Sequence, residues 1–106
     1  MSTITSESTM LRAAIAARRD ALDEILDRYA ATNPRLFGSV ARGDATATSD
    51  VDLLVDLLPG RGNELLRVAG IAEELGQILD HRVDVVTPTL LRSEVSATAM
   101  ADAVPV

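Results

Sequence analysis

A short apolar segment that opens with two aspartates, DVDLLVDLL at 50–58, constrains the fold of this chain more than any other stretch. Aliphatic residues dominate it and the PGRG turn at 59–62 follows it, so the pattern predicts a strand over 51–58. Because side chains alternate along a strand, Asp50 and Asp52 share one face, with Cα atoms about 6.5–7 Å apart. Two like charges in this position are costly unless a positive group lies between them. This face is therefore a candidate cation site, and the alternative is a strand end capped by two solvated aspartates.

Apolar spacing and chain-breaking residues predict three helices and three strands. Asn33-Pro34 is expected to end the first helix and Asn63 to cap the second. The inward-facing residues of the second helix are predicted to be Leu66, Ala69, Ala72, Leu75 and Leu79. We expect helices at 9–31, 63–79 and 90–103, and strands at 35–37, 51–58 and 82–87. This order is typical of a small α/β (α+β) domain in which helices flank a mixed sheet of at least three strands.

Composition limits the classes of protein to which the chain can belong. Its 106 residues, 47% of them apolar, predict one domain over 10–106 with an aliphatic core and a flexible segment at 1–9. The absence of cysteine excludes disulfides and thiolate metal sites. Without a signal-peptide pattern or a stretch long enough to span a membrane, we expect a cytoplasmic protein.

The charge of the chain favours some partners over others. The net charge is −6, and all ten basic residues are arginines. Direct nucleic-acid binding needs a basic face that neutralises phosphates, so it is not expected here. An acidic surface suits metal cations and a basic protein partner.

A third aspartate interrupts the last predicted strand. Asp84 lies among valines in RVDVVT at 82–87, where β-branched residues are the norm. If this strand lies beside 51–58, at the usual spacing of about 4.8 Å, Asp84 completes a cluster of three carboxylates. Hard oxygen ligands of this kind favour Mg²⁺ or Mn²⁺. The alternative is an edge-strand aspartate that faces water.

A Gly-Ser pair ends the short strand before this region. Gly38-Ser39, followed by a helical turn, presents backbone N–H groups and a hydroxyl of the kind that bind phosphate. Arg42 lies close enough in sequence to add a guanidinium for phosphate oxygens. Asp44 stands where a P-loop requires lysine, which excludes a Walker site. The single histidine, His81, is expected to be an exposed turn residue.

The run GSVARGDATATSDVDLLVD at 38–56 resembles the signature of the polymerase-beta-like nucleotidyltransferase superfamily. That signature is a Gly-Ser pair, ten residues and then Asp-x-Asp, and this chain matches it without a gap. Asp84 fits the position of the family's third carboxylate on a later strand. The short length, the leading helix and the closing ADAVPV resemble the minimal nucleotidyltransferase (MNT) group.

The resemblance implies a metal-dependent nucleotidyl transfer. Asp50, Asp52 and Asp84 would be the catalytic and metal-binding residues, holding two Mg²⁺ ions, or Mn²⁺, at the triphosphate of ATP. Asp84 would also help to deprotonate an acceptor hydroxyl that attacks the α-phosphate. Gly38 and Ser39 would bind the nucleotide phosphates, with help from Arg42.

The same resemblance implies a partner. MNT proteins are commonly paired with a HEPN-domain toxin, which the MNT protein neutralises as an antitoxin by adenylylating a tyrosine. A protein adenylyltransferase that acts on such a toxin is the function expected from this resemblance. Two alternatives stay open: an antitoxin that neutralises its partner by binding alone, and a nucleotidyltransferase that acts on small molecules.

Overall fold

The structure, a computed structural model, describes residues 4–90 and 103–106. Its helices are α1 (Ser6–Ala17), α2 (Arg19–Arg28), α3 (Gly38–Arg42) and α4 (Glu64–Leu79). Its strands are β1 (Ala31–Phe37), β2 (Val51–Leu57), β3 (Val83–Val86) and β4 (Val104–Pro105). The predicted helix at 90–103 falls almost entirely outside the described residues. None of the described helices is both long and apolar enough to cross a membrane.

The four strands form one mixed sheet in the order β3-β2-β1-β4. Strand β1 is antiparallel to both β2 and β4, whereas β2 and β3 are parallel. A parallel pair needs a crossover connection, which α4 supplies between β2 and β3. The predicted α/β class with a mixed sheet flanked by helices is confirmed, and β4 is a strand that the sequence pattern did not predict.

The core is aliphatic, as the composition predicts. Its largest fully buried side chains come from α2, β2 and α4: Leu22, Ile25, Leu53, Leu54, Ile71 and Leu75. Helix α2 packs against β1, and α4 packs against β3 and α2. The core therefore fixes the positions of β1, β2 and β3, the three strands around the candidate site.

Helix α4 begins where the sequence predicts but buries a different face. Asn63 caps it by accepting a hydrogen bond from the backbone N–H of Leu66 at 3.0 Å. The inward-facing residues are Arg67, Val68, Ile71 and Leu75. The predicted stripe is thus right at Leu75 and at Ala72 and Leu79, which pack against the core, and wrong at Ala69 and at Leu66, which is 73% exposed. The error arises because an arginine occupies a buried position that a pattern of apolar residues cannot identify.

Arg67 is buried because it completes the end of α2. Its Nε donates to the carbonyl of Tyr29 at 2.9 Å and its Nη2 to that of Ala30 at 2.8 Å. Tyr29 is the C-cap of α2 and Ala30 follows it, so the guanidinium binds the carbonyls with which the chain leaves the helix, the second of which also accepts from the N–H of Leu58. The contact ties α4 to the junction between α2 and β1.

The predicted helix at 9–31 is two helices, and its predicted end is wrong. The break lies at Arg18, between α1 and α2. Pro34 lies within β1, where the pairing with β2 shifts register between Thr32 and Arg35. Such an irregularity accommodates proline, which cannot donate to a sheet, so Asn33-Pro34 does not end a helix here.

We predict that Arg67→Met lowers the free energy of unfolding by about 1–3 kcal/mol, because it keeps the apolar stem but removes the side-chain donors to the carbonyls of Tyr29 and Ala30, of which Ala30 keeps only the N–H of Leu58. Urea unfolding measures the change. Leu66→Ala is the matched control, with an expected change within about 0.5 kcal/mol because the side chain is exposed. A larger loss in Leu66→Ala than in Arg67→Met would contradict the observed face of α4.

Candidate active site

The end of β1 and the start of β2 bring the Gly-Ser pair and the first aspartates together. In the antiparallel pairing, Phe37 lies opposite Asp52. Gly38 and Ser39 follow directly as the first residues of α3. The ten residues between the two motifs are the rest of α3 and the loop after it. They therefore leave and return to neighbouring points of the sheet.

Gly38 lies directly against the carboxylate of Asp52. Its backbone is left-handed, with φ of 71°, which glycine adopts without strain. A Cβ at this position would overlap Oδ2 of Asp52. Both the conformation and the close approach require glycine, and together they bring the Gly-Ser turn into contact with Asp52.

Asp84 lies beside Asp52 on the neighbouring strand. The parallel register of β2 and β3 pairs these two residues, on strands that are typically about 4.8 Å apart. Strand β3 is at one edge of the described sheet, and Asp84 is exposed. The two alternatives for Asp84 are therefore both partly right. It is exposed on an edge strand, and it also lies next to a second carboxylate.

The surroundings of Asp52 disfavour its ionised form. Burial, together with the negative charges of Asp84 and Asp50, raises its pKa to about 6, while the charge of Arg42 opposes the shift. Burial disfavours the charged form of a carboxylate, and neighbouring negative charges add to that effect. The charge of Asp84 acts on Asp52 because the two residues pair across β2 and β3.

Asp50 is held by the turn that precedes β3. Nε of Arg82 lies 3.6 Å from Oδ2 of Asp50, and the carbonyl of Arg82 accepts a hydrogen bond from Val51 N at 3.0 Å. His81 Nε2 donates to the carbonyl of Ser49 at 2.6 Å. The turn thus contacts the chain on both sides of Asp50.

His81 is therefore more than the exposed turn residue that the sequence predicts. It is partly buried and bonded to the loop that leads to the aspartates. No local pattern identifies this contact, because the two residues are 32 positions apart. The available signal is indirect: His81 and Arg82 immediately precede the strand that pairs with β2.

Arg42 is the last residue of α3, and its guanidinium is close enough to the acids to act on Asp52. Its Nε lies 3.3 Å from Oδ2 of Asp44, and its charge acts on Asp52. Its side chain is 46% exposed, so it is accessible to a ligand near the Gly-Ser turn. The structure thus brings Arg42 close to the residues with which the sequence groups it.

The donor set suits a hard divalent cation by its chemistry. The acidic groups that act on Asp52 are the carboxylates of Asp84 and Asp50, and carboxylates are the ligands that Mg²⁺ and Mn²⁺ prefer. Within residues 4–90 and 103–106, no three acidic or histidine side chains are arranged closely enough to hold a metal ion. Asp50 instead lies near Arg82.

Comparison with known proteins places this site in a family. The nucleotidyltransferase domain family matches residues 18–105, a range that includes the Gly-Ser turn and all three aspartates. The protein adenylyltransferase MntA of Thermococcus cleftensis is 35% identical over 83 residues, which are 76% of this chain and 80% of the relative.

Two solved structures share the fold. One, assigned as a minimal nucleotidyltransferase, is 38% identical and has a TM-score of 0.75. The alignment covers 91% of this chain and 95% of that chain. The other is a toxin–antitoxin structure with AMP-PNP, 21% identical with a TM-score of 0.62 over 81% of this chain and 69% of that one. The sequence match, the close structural relative and the position of the aspartates agree: the chain belongs to the nucleotidyltransferase domain family.

Proposed function

We propose that this nucleotidyltransferase is a Mg²⁺-dependent protein adenylyltransferase that transfers AMP from ATP to a hydroxyl of a HEPN-domain toxin. The observation that carries the proposal is the contact between the Gly-Ser turn and Asp52, with Asp84 on the adjacent strand. A phosphate-binding turn next to acids that need a cation is the minimum that nucleotidyl transfer requires. The activity of the Thermococcus relative, as its name gives it, supports AMP as the transferred group.

The Gly-Ser turn and Arg42 bind and orient the triphosphate in this proposal. The backbone N–H groups of the turn and the hydroxyl of Ser39 donate to phosphate oxygens, and Arg42 adds a guanidinium. Orientation matters because the acceptor oxygen must approach the α-phosphorus opposite the leaving pyrophosphate. A bond forms between the acceptor oxygen and the α-phosphorus as the bond to the β-phosphate oxygen breaks.

Asp50, Asp52 and Asp84 would hold Mg²⁺, or Mn²⁺, together with the triphosphate, since the three side chains are not close enough to hold an ion by themselves. The ion would neutralise charge on the phosphates and on the leaving pyrophosphate. The carboxylate of Asp84, exposed on the edge strand, accepts the proton of the attacking hydroxyl. An exposed position suits this role because the acceptor belongs to a protein that must approach from outside.

A toxin partner is supported by charge and by structural likeness. The net charge of −6 suits a basic protein surface, and one structure of the same fold is part of a toxin–antitoxin complex. The HEPN identity of the partner comes from the resemblance to the MNT group. Neutralisation by binding alone is the competing account, and the transfer assay separates the two.

We predict that the protein adds AMP to the toxin encoded beside it when incubated with ATP and Mg²⁺, seen as a mass increase of one or more AMP units. Asp50→Asn combined with Asp52→Asn should lower the rate by at least about 100-fold, because the metal ion that would neutralise the phosphates loses two of its carboxylate ligands. Asp56→Asn is the matched control, since Asp56 lies further along β2 and pairs with Arg35 at 2.8 Å. Full protection of cells by the double variant would refute the catalytic account in favour of binding.

We predict that Asp52→Asn stabilises the metal-free protein at pH 7 while it abolishes transfer. The folded-state pKa of about 6 exceeds the ordinary value of 3.8, so the neutral form favours folding. Wild-type stability should therefore fall as pH rises from about 4 to 6, and the variant should not show this fall. After allowance for solvent screening, we expect a gain of about 1 kcal/mol at pH 7 in urea unfolding. A less stable variant at pH 7 would contradict the repulsion described at this site.

We predict that Gly38→Ala weakens ATP binding strongly, because the new methyl group must displace either the turn or Asp52. Gly60→Ala is the matched control: Gly60 has a similar φ of 75°, and nothing lies within 4 Å of a Cβ there. Each variant pays a backbone cost of roughly 1 kcal/mol for its left-handed conformation, so the difference between them isolates the contact with Asp52. Thermal shift with ATP and Mg²⁺ measures the binding, and equal shifts in the two variants would contradict the prediction.

A further inference from the structure

Helix α3 is too short to hold its own position. It has five residues, Gly38–Arg42, whereas isolated helices need about 12–15 residues to be even marginally stable. No side chain caps its N-terminus at Phe37. Contacts from other elements must therefore decide where the Gly-Ser turn lies.

Arg12 of α1 supplies such a contact at the opposite end of α3. Its Nε donates to the carbonyl of Val40 at 3.0 Å, and its Nη2 donates to that of Ala41 at 2.7 Å. These carbonyls are at the C-terminal end of the helix, where positive charge is favourable and where Val40 has only a long bond of 3.3 Å from the backbone N–H of Gly43. The rigid guanidinium binds both at once, which an ammonium group does not do.

The residues that begin α1 hold the loop that follows α3. Thr5 donates from its backbone N–H to the carbonyl of Gly43 at 2.9 Å and from its hydroxyl to that of Ala45 at 2.6 Å. Ser8, which is fully buried, accepts a hydrogen bond from the N–H of Ala45 at 2.9 Å. The start of α1 thus contacts both the end of α3 and the first residues of the loop leading to Asp50.

We propose that Arg12 is a positioning residue for the Gly-Ser turn: by binding the last carbonyls of α3, it sets where Gly38 and Ser39 lie relative to Asp52. This inference rests on the proposed function and deepens it, since the positioned turn is the one that binds the triphosphate. A displacement of about 1 Å in a substrate-binding group can reduce a rate on the order of 100-fold. Thr5 and Ser8 hold the chain after α3 and Val40 is buried, but Arg12 is the side chain that bonds within the helix itself, at the carbonyls of Val40 and Ala41.

Arg12 acts through α3 and not by touching the nucleotide. Its guanidinium is engaged by two backbone carbonyls. The rest of its side chain lines a groove of about 460 Å³ whose other lining residues are Ile15, Ala16, Arg19, Leu36 and Val104–Val106. None of the six residues predicted for the site lines this groove, so the effect of Arg12 must pass through the helix.

The test compares Arg12→Met with Arg19→Met in the full chain. Arg12→Met keeps the apolar stem and removes both donors. Arg19 lines the same groove and bonds to Asp23 and to the carbonyl of Val106, but the structure records no bond from it to α3. Arg12→Lys restores one donor without the fork, so it should recover part of what Arg12→Met loses.

Two measurements give the outcome. Amide hydrogen exchange of residues 38–45 in the nucleotide-free protein should become about tenfold faster in Arg12→Met and stay unchanged in Arg19→Met. The KM for ATP in AMP transfer should rise about tenfold in Arg12→Met, with a smaller fall in kcat, because the turn binds the triphosphate before the reaction. In Arg12→Lys, the exchange rate and the KM for ATP should both return part of the way to their wild-type values.

Other results overturn the inference. Unchanged exchange in Arg12→Met shows that the contact does not order the turn. Faster exchange with an unchanged KM shows that the order has no effect on the nucleotide, and equal effects of both methionine variants indicate general destabilisation. Wild-type protein that neither binds ATP nor transfers AMP refutes the proposed function and with it the positioning role, while the exchange rates still report separately on the contact.

Discussion

The register between β1 and β2 is the constraint on which the site depends. It sets Phe37 opposite Asp52, so the chain leaves β1 at the point where the aspartates enter β2. A slip by one residue would turn Asp52 to the other face of the sheet and replace it with an aliphatic side chain. The buried residues Val51, Leu53 and Val55 prevent that slip because their burial would be lost with it. The hydrophobic pattern of β2 thus fixes the position of the acids as well as the core.

The acids are retained at a cost to the fold. Asp52 is half-buried beside Asp84 and near Asp50, and its pKa is raised as a result. Strain of this kind is common where function requires a charge that stability does not favour. The domain can tolerate it because the core residues next to the acids, such as Val51 and Leu53 on β2, point to the opposite face of the strand. Core and site thus have opposite requirements, and the sheet accommodates both on the two sides of one strand.

Features that depend on residues close together in the chain could be predicted from the sequence, whereas contacts between distant residues could not. The Gly-Ser turn, the paired aspartates, the Asn63 cap and the strand with Asp84 all follow from spacing within a few residues. The buried Arg67, the bond from His81 to Ser49 and the bonds from Arg12 to α3 join residues that are 28 to 38 positions apart. A polar side chain at such a position looks like a solvated surface residue until its partner is known. For the same reason, the pairing of β4 with β1 left no trace in the pattern of apolar residues.

Arg12 and Arg67 use the same geometry at two helix ends, where each guanidinium binds two consecutive carbonyls. One hydrogen bond would fix only the distance between a helix end and its neighbour. Two bonds from a planar group also fix the rotation of the helix about its own axis. For α2 this rotation sets the direction in which the chain enters β1. For α3 the same restraint acts on the helix that begins with Gly38 and Ser39, so a residue on the first helix limits how far the Gly-Ser turn can rotate relative to Asp52.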